Sequence, residues 1–155
     1  DGDLLDFTRR LVALRQDHPV FRRRKWFQGR PIRGEQADDL EWFTPEGVPM
    51  TEDDWQVGYA RSIGVFLNGE AITALGSRGQ RVVDDSFYAI FNAYGDTLDF
   101  VLPDGPYAER WAIVLDTSAL DAERAFPTEG TEYEALDRLP VRGHAVMVLR
   151  AIGPA

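Results

Sequence analysis

The stretch Asp84–Ala93 reads DDSFYAIFNA. Phe87, Ala89, Phe91 and Ala93 alternate with Tyr88 and Ile90, and Asn92 closes the run. The period of two makes it a strand. Apolar residues on both faces make it a central strand, covered on both sides. Such a strand needs neighbours, and the flanking sequence supplies them. Downstream, Thr97–Leu102 alternates with Leu98, Phe100 and Leu102 inward, and Arg110–Leu115 places Trp111, Ile113 and Leu115 on one face. Ala145–Arg150 sets Ala145, Met147 and Leu149 against Val146 and Val148. Leu139-Pro140-Val141 is edge-like, because proline cannot donate to a ladder. Upstream, Leu40–Phe43 is a short strand, and Arg61–Asn68 is a strand carrying Ile63, Val65 and Leu67 on one face. Asn68-Gly69 signals a hairpin turn, with Ala71–Leu75 as the return. Thr51-Glu52-Asp53-Asp54 carries a capping pattern for a single helical turn. Residues 116–135 are polar and hold Gly and Pro, and are read as one long loop. Short strands at this spacing predict a mainly β chain, an antiparallel β-sandwich.

One amphipathic helix precedes that sandwich. Leu4, Phe7, Leu11, Leu14 and His18 recur at helical spacing, widened by Leu5 and Val12, and Pro19 ends the pattern, so the helix is expected over residues 3–18. A stripe this wide needs a partner surface. The segment also differs in charge. Residues 1–33 hold nine Arg and Lys against four Asp, net +5; the remainder holds eight Arg against 22 acidic residues, net −14. The division predicts two units, 1–33 and 34–155. An opening at Asp1 rather than Met, directly into a helical pattern, is read as the cut edge of a longer protein.

Composition excludes several classes. At 155 residues with 44% hydrophobic and 28% charged content, the chain has enough material for one folded domain with a core. A net charge of −9 argues against nucleic acid as partner. No apolar run approaches the roughly 20 residues of a membrane span, and no signal peptide opens the chain. Cysteine is absent, which fits a cytoplasmic location.

Chemistry is sparse. His18 and His144 are the two histidines, too few for a zinc site in a chain without cysteine, and no metal or other cofactor is expected. His18, before Pro19, is assigned a contact with the helix C-terminal dipole. Asp53-Asp54 and Asp84-Asp85 are the visible carboxylate pairs; neighbours on an extended strand point apart, so cap and turn roles are expected and no catalytic residue is assigned. Trp42 and Trp111 alternate with polar neighbours and read as core. Trp26 and Trp55 fall in loop-like segments and are the candidates for stacking on a sugar ring, with packing between units as the alternative. Arg22-Arg23-Arg24-Lys25 is either a polyanion or lipid site, or a solvated basic turn or charges paired with the acidic body. Gly76-Ser77-Arg78-Gly79 is either a phosphate cradle or a surface loop.

Several runs, in order, resemble the C-terminal end of bacterial glycogen debranching enzymes, the isoamylase-like branch of the α-amylase superfamily. They are Asp3–Phe27 (DLLDFTRRLVALRQDHPVFRRRKWF), Asp39–Trp55 (DLEWFTPEGVPMTEDDW), Gly64–Ile72 (GVFLNGEAI), Asp84–Ala93 and Val114–Leu120. The resemblance implies a non-catalytic C-terminal β-sandwich of the α-amylase type, led in by the last helix of a (β/α)8 barrel. In that family the barrel hydrolyses α-1,6 branch linkages with a nucleophile Asp, an acid/base Glu and a stabilising Asp. All three lie upstream of the matched region, so none maps onto a residue here. The implied partner is the catalytic barrel, with α-glucan as a further candidate. Two rival readings are a glucan-binding module, on Trp26 and Trp55, and a free-standing interaction protein, on the Leu4–Leu14 stripe.

Overall fold

A computed structural model describes residues 2–29, 37–57 and 60–153. The elements run α1 (Gly2–Asp17), a 3-10 turn at Pro19–Arg22, β1 (Leu40–Phe43), α2 (Glu52–Trp55), β2 (Ser62–Leu67), β3 (Phe87–Asn92), β4 (Leu98–Val101), β5 (Arg110–Asp116), α3 (Ala122–Ala125), β6 (Glu132–Glu134), β7 (Arg138–Val141) and β8 (Ala145–Ile152). Six strands form one sheet in the order β1-β2-β3-β8-β5-β6; β4 and β7 form a second. Every strand pairing is antiparallel.

The strand read first lies in the middle of the large sheet. β3 pairs Ala89 with Val65 of β2 on one side and with Val148 of β8 on the other. Its two faces serve two cores. Tyr88 and Ile90 point toward the small sheet and pack with Phe43, Phe66, Phe100, Trp111, Val141 and Leu149. Phe87 and Ala89 point the other way and pack with Val20, Ile72, Leu115 and Val148, beneath Phe7 and Phe21. Trp111 is fully buried, and its indole N–H donates to Pro103 O at 2.9 Å, so the polar edge of the ring is satisfied. β8 divides as its alternation predicts: Ala145, Met147 and Leu149 face the inner core, while Val146 and Val148 face the outer one.

Four local expectations change. Asn68-Gly69 does not make a hairpin: Asn68 has φ −84°, and a 3-10 turn follows at Gly69–Ala71. The glycine is required by close approach instead. A Cβ there would meet Asp84 O and Asp85 O at 2.2 Å, and Gly69 N donates to Ser86 Oγ at 3.0 Å. The expected return strand at Ala71–Leu75 is reduced to a single bridge, Leu75 to Arg81. In β5 a bulge between Ile113 and Leu115 shifts the register, so Trp111 and Ile113 face the inner core while Leu115 joins the outer one. The long loop at residues 116–135 contains α3, capped by Asp121 Oδ1 on Arg124 N at 2.8 Å, and β6, which extends the sheet edge. The capping box at Thr51 and Asp54 forms as expected.

Candidate functional site

The carboxylate pairs resolve into structural roles. Asp54 closes the Thr51 capping box at 2.7 Å, and the Thr51 backbone N–H, followed by its hydroxyl, holds the Asp54 carboxyl below its ordinary pKa. Asp84 and Asp85 take different partners. Asp85 is exposed and lies 3.8 Å from Arg150. Asp84 turns inward: Oδ1 lies 2.8 Å from His18 Nδ1 and accepts Asp85 N, while Oδ2 accepts Val20 N at 3.0 Å. His18 therefore has a partner 66 positions away that no local pattern announces, and its ring packs edge-on against Phe87 at 4.7 Å. Among the described residues, ligand atoms of His18, Asp84 and Asp85 lie within 4.8 Å of one another. Both oxygens of Asp84 are already occupied by donors, so the cluster acts as a clamp fixing the end of α1 to the entry of β3.

A second clamp lies nearby. Arg23 turns inward from the basic run, stacks over Phe27 at 4.1 Å and meets Asp39 at 3.3 Å, with the two side chains 4% and 0% exposed. Asp39 also accepts Gln28 N at 2.9 Å and Gly29 N at 2.8 Å. A buried pair with the acceptor this fully bonded holds geometry more than it adds stability. Sequence reading missed another acidic grouping. Burial, then the charge and hydrogen bond of Asp38, push Glu41 above its ordinary pKa. Tyr107 is pushed up to about 12 by burial first and then by Glu41, Asp38 and Asp104.

The two sugar-platform candidates differ in exposure. Trp26 is 93% exposed. Trp55 is 49% exposed and rests edge-on against Trp42 at 5.5 Å, so part of its ring serves packing at the β1 edge.

An apolar groove lies between α1 and the outer face of the large sheet. It has a volume of about 470 Å³, with Leu11, Leu14 and Phe21 on the helix side and Val65, Phe91 and Val146 among the sheet residues. α1 reaches the body at its ends. Phe7 packs on Phe126 at 5.2 Å, Asp3 accepts Ala122 N at 3.0 Å, and His18 holds the far end. Between these anchors no α1 residue is buried, and Leu4, Leu5, Leu11 and Val12 stay exposed. The helical stripe read from the sequence is thus real and largely uncovered.

The family model for the isoamylase C-terminal domain matches residues 39–148. The chain belongs to the isoamylase C-terminal family. The match begins at Asp39, the buried acid beneath Arg23, and ends at Val148 of β8, so it reaches strands of both sheets. Its relatives extend the match. The glycogen operon protein GlgX homolog of Mycobacterium bovis is 51% identical over 119 residues, covering 76% of this chain and 16% of the relative. The isoamylase of Pseudomonas amyloderamosa is 28% identical over 127 residues, covering 81% of this chain and 14% of the relative. The chain therefore spans about one sixth of the length of these relatives. In fold it resembles the type I pullulanase of Bacillus subtilis, with TM-score 0.55 and 18% identity over 95% of this chain and 15% of that one.

Proposed function

We propose that this chain is the non-catalytic C-terminal domain of an enzyme hydrolysing α-1,6 branch linkages in glycogen or limit dextrin, and that it stabilises the catalytic barrel by docking on it. The observation that carries this is the uncovered apolar groove between α1 and the outer sheet face, in a chain matching only 14–16% of relatives that include an isoamylase. On this reading residues 1–33 belong to the terminal helix and exit of the barrel layer and 34–155 to the sandwich, with the boundary itself outside the described residues. The apolar stripe of α1 and residues such as Phe91 then lie against the catalytic part, which removes them from water. Among the described residues no helix is long and apolar enough to cross a membrane. We place the parent enzyme in the cytoplasm, which agrees with a chain without cysteine.

Two measurements test this. The purified chain is expected to release no reducing sugar from limit dextrin; release would sink the proposal. Leu11→Asp with Phe91→Asp is expected to weaken association with the catalytic part while leaving the melting of the isolated chain nearly unchanged. Undiminished association would remove the groove from the interface.

A second reading, a glucan-binding surface, draws on the 93% exposure of Trp26. It predicts a saturable tryptophan fluorescence change with maltooligosaccharide that is lost in Trp26→Ala. A flat titration at millimolar sugar argues against it.

A further inference from the structure

Two sequence features take no part in that docking surface, and the fold brings them together. The basic run Arg22–Arg24 and the turn at Gly76-Ser77 line one groove of about 360 Å³. Its remaining walls are apolar, with Ile72, Ala74, Leu75 and Val82 among them, and among the described residues no carboxylate lines it, in a chain of net charge −9. The basic wall is held in place from below. Arg23 is fixed by Asp39 at 3.3 Å, which sets the positions of its exposed neighbours Arg22 and Arg24. Among the described residues Arg22 bonds through Nε, to Gln16 O at 3.1 Å, and that bond leaves its terminal nitrogens for another acceptor. The opposite wall is a tight turn: Gly76 N donates to Gln80 O and Gly79 N to Gly76 O, both at 2.9 Å, with Gly79 at φ +76°. Two carboxylates carried by the neighbouring segments are turned to other partners. Asp84 is taken by His18 and Val20, and Glu70 meets Arg81 at 3.5 Å.

We propose that this groove binds a small organic phosphate of the sugar-phosphate class. A phosphate monoester carries nearly two negative charges at neutral pH, and arginine presents planar, forked donors that match its oxygens. The Ser77 hydroxyl adds a donor on the facing wall. The apolar walls suit the C–H face of a sugar ring, and the volume lies in the range of small-molecule sites. A long polyanion is disfavoured by the net charge of −9 on the chain. This proposal does not rest on the docking role, and either can fail alone.

The test is calorimetric titration of the intact chain with glucose 6-phosphate, inorganic phosphate and glucose. Wild type is compared with Arg22→Ala/Arg24→Ala, whose exposed side chains leave the fold intact, as a melting curve will check. The expected result is saturable binding of glucose 6-phosphate, weakened at least about tenfold in the variant, with no binding of glucose. Absence of saturable heat from glucose 6-phosphate up to about 10 mM overturns the proposal. So does equal affinity of the variant, or binding of inorganic phosphate as tight as that of the sugar phosphate.

Discussion

Asn92 closes β3 and joins the two sheets. It is buried, and its Nδ2 lies 3.0 Å from Val141 O, 3.0 Å from Asp96 O and 3.2 Å from Arg142 O. Its Oδ1 accepts Ser62 Oγ at 2.8 Å and Tyr94 N at 3.0 Å. One amide thus binds β2, β3, the β3–β4 turn and the end of β7. Each such bond contributes about 1 kcal/mol net, and orphaned buried carbonyls add to the loss, so Asn92→Ala is expected to cost about 3 kcal/mol. Asn92→Asp keeps the shape but sets an acceptor against carbonyl oxygens, which adds about 2 kcal/mol at pH 7. Burial and those carbonyls raise the folded-state pKa of the introduced carboxyl above its unfolded value. Stability of that variant is therefore greatest below the unfolded pKa and is lost as pH rises through the folded one. Urea unfolding followed by tryptophan fluorescence, with Trp111 as the buried reporter, measures both variants at pH 7 and at about pH 4.5. A cost for Asn92→Asp below about 0.5 kcal/mol at pH 7, or one equal at the two pH values, would refute the reasoning.

Three further outcomes follow from the same structure. Gly64→Ala places a Cβ 1.9 Å from Tyr88 Oη inside the core, so a loss of about 1–3 kcal/mol in urea unfolding is expected; a neutral result would mean the Tyr88 ring has room to move. Asp84→Ala strips the acceptor from Val20 N and His18 and is expected to cost about 2 kcal/mol and to speed hydrogen exchange through the Pro19–Arg22 turn; unchanged exchange there would show that the clamp does not hold α1. Glu41 holds its proton more tightly folded than unfolded, so its contribution is full below the unfolded pKa and is lost as pH rises through the folded value. Glu41→Gln is thus expected to raise the melting temperature slightly at pH 7 and not near pH 4, and a drop at pH 7 would contradict that sign.

Much of the fold was legible because strand alternation and helical stripes are local. Tyr88 and Ile90 against Phe87 and Ala89, and Met147 and Leu149 against Val146 and Val148, each went to the core that a period of two assigns. The Thr51–Asp54 cap and the α1 stripe could be read the same way, since their partners lie within a turn or two. The runs resembling glycogen debranching enzymes also lay in the sequence and pointed to the isoamylase C-terminal family. Only the tertiary structure decided the rest, because it depends on residues distant in the chain. Gly69 is a contact with Asp84 and not a hairpin turn, Leu115 crosses to the outer core at a bulge, and His18 finds Asp84 across 66 positions. The groove beneath α1, and the meeting of Arg22–Arg24 with Gly76 and Ser77, arise from the same long-range closure. A local pattern tells a residue which way to face; what it then meets is set by the packing of the whole chain.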